Sequence, residues 1–215
     1  RGNIAANQGH LKTALTYFNE AIETDPTHVR ARLNRTSIHM ATENAQGALD
    51  DANILLELAP GLALAKLRKA EANMMLSNWE EAKDDLEQIV EDSPHHHHAL
   101  TQLASCFMAM DRPEKAEAPL NEALRLAPDH TEAWHQRGLL YLDWAQEESA
   151  LNDFEAAVRC DGSHLGARLH IAAIHHKAEK FSEALAAWSG VLAIEPEHTV
   201  ARKRREECEM ALATI

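Results

Sequence analysis

The chain has 215 residues, 26% of them charged, and its 34 acidic against 21 basic side chains leave a formal net charge of -13. That balance argues against a general nucleic-acid binder and against charge-driven attraction to anionic membranes, and no apolar run reaches the roughly 18 residues of a spanning helix. Three widely spaced cysteines, Cys106, Cys160 and Cys208, fit reduced thiols better than a disulfide framework and point to the cytoplasm. The chain opens at Arg1 with neither a methionine nor a signal peptide, so an upstream segment is expected.

Prolines mark the organisation. Pro26, Pro60, Pro94, Pro128 and Pro196 keep an interval of 34 residues, with Gly162 filling the gap in the series. Residues 1–28 are a repeat without its first six places, and five whole repeats follow at 29–62, 63–96, 97–130, 131–164 and 165–198. An alanine column, Ala14, Ala48, Ala82, Ala116, Ala150 and Ala184, runs through all six. Four residues on, and so on the same helical face, stand Phe18, Ala52, Leu86, Leu120, Phe154 and Trp188. A small-residue column holds Gly2, Thr36, Ala70, Ala104, Gly138 and Ala172. The alanine and bulky columns share one helix, called B, that ends near the proline, and the small-residue column lies on an earlier segment, called A. Pro119 lies well inside the fourth B helix, where a kink is expected. Residues 199–215, heavily charged from Arg202 to Glu209, read as a capping helix with a solvated outer face.

Trp134, Gly138, Tyr141, Ala150 and Phe154 carry a resemblance to the tetratricopeptide repeat (TPR) family, whose pattern extends over nearly the whole chain. The resemblance implies an all-α, right-handed α-solenoid of about six helix-turn-helix repeats, with A helices lining a concave groove and B helices facing outward. It also implies a non-catalytic scaffold for protein partners.

The run His95-His96-His97-His98 invites a metal reading. Yet the place after each proline pair repeats as His28, Leu62, His96, His130, His164 and His198, so His96 belongs to the architecture of the turn between repeats. Metal ligands must converge, whereas residues one repeat apart stand roughly 10 Å apart. No metal site and no cofactor are therefore expected, apart from adventitious nickel or zinc on the run. His170, His175 and His176 form the one other histidine cluster. Nor is an enzyme expected: there is no phosphate loop, no G-x-S-x-G and no Cys-x-x-Cys. The acidic pairs Glu80-Glu81, Asp84-Asp85 and Glu147-Glu148 read as solvated B-helix faces.

Recognition is expected on the A helices. The A-type segments, 1–8, 29–42, 63–76, 97–110, 131–144, 165–178 and 199–212, hold 14 basic and 6 acidic residues, and the remainder 7 and 28. Either helix-end preferences produce this segregation, or the groove is more positive than the outer surface and steers acidic segments inward. The sixth A-helix place reads Asn34, Arg68, Gln102, Gln136, His170 and Arg204, a polar column that is either a ladder for a peptide main chain or a solvent-facing default. Met40, Met74 and Met108 recur six places later, as core packing or as an adaptable groove floor, with packing favoured.

A narrower resemblance links Asn3, Asn34 and Arg68 to the two-carboxylate clamp of TPR co-chaperones, which grips the acidic tails of heat-shock chaperones. Leu64 stands where the clamp has a lysine, with Arg30 or Lys66 near enough to supply charge. The expected binding residues are thus Asn3, Arg30, Asn34, Arg68, Gln102, Gln136 and His170, with the three methionines. The expected partner is a protein segment, acidic in the clamp reading, with self-association or a role as the recruiting arm of a larger enzyme as further readings.

Overall fold

The computed structural model describes residues 1–214. These residues form α-helices and one 3₁₀ turn, with no strand among them, and the fold class is the all-α repeat class that the period predicts. They group into two compact units, residues 1–111 and the residues from 112 on.

Unit 1 holds α1 (Gly2–Asn7), α2 (Leu11–Thr24), α3 (Val29–Ala41), α4 (Ala45–Leu58), α5 (Ala63–Met75), α6 (Trp79–Asp92) and α7 (His97–Ala109). Unit 2 opens with a 3₁₀ turn at Pro113–Lys115. It continues with α8 (Glu117–Leu126), α9 (Thr131–Asp143), α10 (Glu147–Cys160), α11 (Leu165–Lys177), α12 (Phe181–Ile194) and α13 (Thr199–Ala213). Within each unit every helix packs chiefly on its neighbours in sequence, the nearest-neighbour order of a helical solenoid.

Three periodic devices build the hairpins. The first is size matching. All six residues of the alanine column are fully buried, and the bulky column is buried beside it. A Cβ on Gly2 would stand 2.6 Å from the Phe18 ring, and one on Gly138 2.6 Å from the Phe154 ring. Where the B helix brings phenylalanine, the A helix therefore brings glycine. Leucine at Leu86 goes with Ala70, and the small Ala52 with Thr36. Trp188, opposite Ala172, falls outside that size order.

The second device is the turn. Gly9, Glu43, Ser77, Asp111, Ala145 and Glu179, one per repeat, all have φ between 55° and 76°. Only Gly9 adopts that left-handed region without the Cβ conflict, so the tertiary fit of the two helices overrides local preference at the other five. The B helices end two residues before the proline place, and the intervening Asp25, Ala59, Ser93 and Ala127 are extended, as a residue before proline must be.

The third device is an ion-pair column linking A to B. Arg35 grips Asp51 through Nε at 2.7 Å and Nη2 at 2.6 Å, Lys69 meets Asp85 at 2.8 Å, and Arg137 grips Asp153 at 2.7 and 2.8 Å. Asp51 accepts a third bond, 2.9 Å from the buried Arg32. Arg32 also donates to the Pro26 carbonyl at 3.0 Å, and Trp134, Arg168 and Arg202, at the same place of later repeats, donate to the carbonyls of Pro128, Gly162 and Pro196 at 2.8 Å each. The tryptophan that marks the fifth repeat is thus a hydrogen-bond donor to the preceding turn.

Pro119 makes no mid-helix kink. The fourth B helix starts as the 3₁₀ turn and restarts as α helix at Glu117, which puts Pro119 at the third residue of α8. The first turn of a helix has no intrahelical use for the N–H that proline lacks. The restarted helix is 10 residues long against 14 for the other B helices.

Candidate functional site

Four of the five turn histidines act as helix N-caps, and His130 makes no such cap bond. Nδ1 of His28, His96, His164 and His198 accepts the backbone N–H three residues on, at 3.3, 3.2, 3.0 and 3.2 Å. In the histidine run, His95 is exposed in the turn, His96 caps α7, and His98 turns its Nε2 to Glu71 at 3.4 Å.

The polar column on the A helices is drawn inward. Asn34 Nδ2 donates to Asn3 Oδ1 at 2.8 Å, and Gln102 Nε2 donates to Glu71 Oε1 at 3.3 Å. Both bonds run from the sixth place of one A helix to the ninth place of the preceding one, so this rung ties neighbouring repeats together. Arg68 Nη1 reaches the other Glu71 oxygen at 2.6 Å. Burial pushes the Glu71 carboxyl up, but bonds from His98, Arg68 and Gln102 outweigh it and hold the group below its usual range. Two buried atoms on this face keep no partner: Arg68 Nε, a donor, and Gln102 Oε1, an acceptor.

In unit 2 Gln136 Nε2 donates to Glu132 of its own helix at 2.6 Å. His170 stacks on Phe154 with ring centroids 4.7 Å apart and planes 15° apart, and lies 5.7 Å from His135. Burial first, then the neighbouring His135 and His164, holds its imidazole below the ordinary histidine value. The expected grouping of His170 with His175 and His176 dissolves. His176 instead meets Cys208 Sγ at 3.4 Å and Glu207 at 3.5 Å, while His170 belongs with His135 and His164, which its position in the sequence did not suggest.

Arg30 and Asn3 are exposed, and Met40, Met74 and Met108 are half-buried. Arg1, Asn3, Arg30 and Asn34 line an open groove of about 790 Å³. This groove runs beside α1, which has six residues where α3 has 13. Several cations that the sequence assigned to the groove are spent on B-helix carboxylates: Arg32 and Arg35 on Asp51, Lys69 on Asp85, Arg137 on Asp153, Lys66 on Asp92, and Lys177 on Glu147. The charge segregation is in part an internal pairing scheme.

Burial shields two of the three thiols. Cys106 is buried and its thiol is pushed up to about 11 by that burial; Cys208 is also raised, chiefly by burial. Among the described residues, no helix is long and apolar enough to cross a membrane.

Comparison with known proteins follows the same lines. Solved structures with this fold include a tetratricopeptide repeat protein from Parabacteroides merdae, 19% identical, with a TM-score of 0.78 over 97% of this chain and 81% of that one. The Cut9–Hcn1 hetero-tetramer of the APC/C matches at 16% identity and a TM-score of 0.82, over 96% of this chain and 41% of that one. YrrB, reported as a TPR protein with an unusual peptide-binding site, matches at 22% identity and a TM-score of 0.60, over 88% of this chain and 97% of that one. No curated protein sequence matches the chain. Family profiles described as tetratricopeptide repeat match residues 1–63, 73–137 and 131–164. With those matches lying on hairpins of 34-residue period, the chain belongs to the tetratricopeptide repeat family, whose members serve in general as non-enzymatic modules of protein–protein interaction.

Proposed function

We propose that the chain is a scaffold that holds an extended segment of a partner protein against its A helices, with Arg68 and Gln102 of unit 1 at the centre of the contact. The observation that carries this reading is the pair of orphaned atoms on α5 and α7. Arg68 Nε is a buried donor and Gln102 Oε1 a buried acceptor, neither with a partner. Buried polar groups left unpaired are costly, and a peptide group offers the complementary pair, a carbonyl for Nε and an N–H for Oε1. Asn34, Gln136 and His170 then serve first as contacts within and between repeats, and Asn3, Arg30 and the methionines as flanking surface. YrrB, with its reported peptide-binding site, is consistent with this by analogy of fold.

The co-chaperone clamp is a weaker second reading. It rests on Asn3, Asn34 and Arg68, but Arg68 already holds the chain's own Glu71 carboxylate, which a terminal carboxylate would have to displace. A reducing compartment, the cytoplasm, fits three cysteines of which none is joined to another.

The test is affinity capture followed by mass spectrometry, with a captured partner titrated against the wild type and the Arg68→Ala, Gln102→Ala double variant. Loss of one or two buried hydrogen bonds to a charged group predicts a drop of about tenfold or more. Unchanged affinity discards this face. A tail peptide with a free terminus binding far better than its amidated form would favour the clamp instead.

A further inference from the structure

The fifth A-helix place holds Leu33, Leu67 and Leu169 in α3, α5 and α11 and Thr101 in α7, but His135 in α9. That side chain is 15% exposed, and both its ring nitrogens are buried without a hydrogen-bond partner. A neutral imidazole has an N–H and a lone pair to satisfy, so a leucine place is a poor one for it unless something else binds there. Glu132 lies one turn earlier on the same helical face, its Oε1 3.9 Å from His135 Nδ1. From the turn before α11, His164 brings Nε2 to 3.8 Å from Glu132 Oε2, and its ring centroid lies 4.7 Å from that of His135.

Two further residues shape the place. Gln136 holds Glu132 Oε1 at 2.6 Å and so orients the carboxylate. Gly166 gives up helix propensity within α11; a Cβ there would stand 3.2 Å from His135 Nε2 and 3.4 Å from His164 Cε1. In unit 1 the corresponding places are Arg30, Leu33 and Leu62 in one repeat and Leu64, Leu67 and His96 in the next, neither a chelating set.

We propose that Glu132, His135 and His164 form a site for one zinc ion or a similar divalent transition metal, with two imidazole nitrogens, one carboxylate oxygen and a fourth position open to water. Their ligand atoms all lie within 4.8 Å of one another, and a tetrahedral zinc shell draws such atoms to roughly 3.3 Å apart, a shift within reach of small side-chain rotations. The ring of His164 limits the affinity. Its Nδ1 accepts the Ala167 N–H; ligation through Nε2 moves the ring proton to Nδ1 and ends that bond. Zinc and the α11 cap therefore compete for one imidazole, which makes the site a weak one, and weaker still in acid.

The test removes the histidine run first, as His95→Asn, His97→Gln and His98→Gln, keeping the His96 cap, because that run chelates zinc by itself. Calorimetric titration of this background chain with zinc alone is expected to give one site. His135→Leu installs the residue that α3, α5 and α11 carry at this place and so suits the packed helix face. It is expected to weaken zinc about tenfold or more, as is Glu132→Gln. Cobalt(II) is expected to give the visible absorption of a tetrahedral site in the background chain and to lose it in both variants. Equal zinc affinity in all three chains, or no uptake by the background chain, overturns the assignment.

Discussion

Replacing Gly138 by alanine tests the size matching that builds each hairpin. Two effects oppose each other. In an exposed helix the change would stabilise by about 1 kcal/mol, because glycine is the poorer helix former. Here the new Cβ falls 2.6, 2.8 and 2.9 Å from three atoms of the fully buried Phe154 ring, short of ordinary contact by about 0.8 Å. The ring is stacked on His170 and has no free volume to enter. Overpacking of this kind costs about 1 to 3 kcal/mol, so after the propensity gain a net loss of up to about 2 kcal/mol is expected. The partner change, Phe154→Leu, copies the pairing of Leu86 with Ala70. Alone it leaves a cavity and destabilises; combined with Gly138→Ala it removes the clash, so the double variant should be more stable than the summed losses by about 1 kcal/mol or more. Urea denaturation of the full chain, followed by far-ultraviolet circular dichroism, measures all four corners of the cycle. A Gly138→Ala chain stabilised by its propensity gain, or strictly additive changes, would refute the reasoning.

Three other outcomes are expected. Asp51 is buried with two guanidiniums on it, so Asp51→Ala should cost about 3 to 5 kcal/mol by chemical denaturation; a loss below about 1 kcal/mol would mark the pair as a solvated one. Ala145 sits at φ 57°, and Ala145→Gly should stabilise by about 0.5 to 1 kcal/mol after the extra freedom of glycine in the unfolded chain is counted. A loss instead would show that the turn carries no strain. The half-buried His170 takes up its proton less readily than the unfolded chain, whose value is 6.5. Its neutral form thus supports the fold above that pH, and the support is lost as the pH falls below it. Thermal scans from neutral pH to about pH 5 should show a steeper decline for the wild type than for His170→Gln, and parallel curves would show that His170 protonates freely in the fold.

Much of this architecture was legible because it is periodic. The alanine column, the glycine and phenylalanine pairings and the turn histidines recur at one interval, and nearly every recurrence has a packing or capping reason. The ion-pair column also recurs, yet counting charge by segment hid it: Arg35 and Asp51 lie 16 residues apart on different helices, so their neutralisation is invisible until the hairpin closes. The left-handed turns carried no signal because glutamate, serine, aspartate and alanine occupy them. Pro119 misled because the sequence shows where a helix runs but not where it restarts. His135 and His164 carry no such signal for a related reason: they are far apart along the chain and meet only across adjacent hairpins.

Because glycine meets phenylalanine, and alanine meets leucine, inside a single hairpin, each thirty-four-residue block carries its own internal fit. A whole block can be copied or deleted without disturbing that fit, leaving only its outer seams to adjust. Divergence by duplication is then easy, while a point change in one member of a pair is not. One block in such an array is free to acquire a trait its siblings lack, and the histidine in a column otherwise of leucine and threonine is the mark of such a departure.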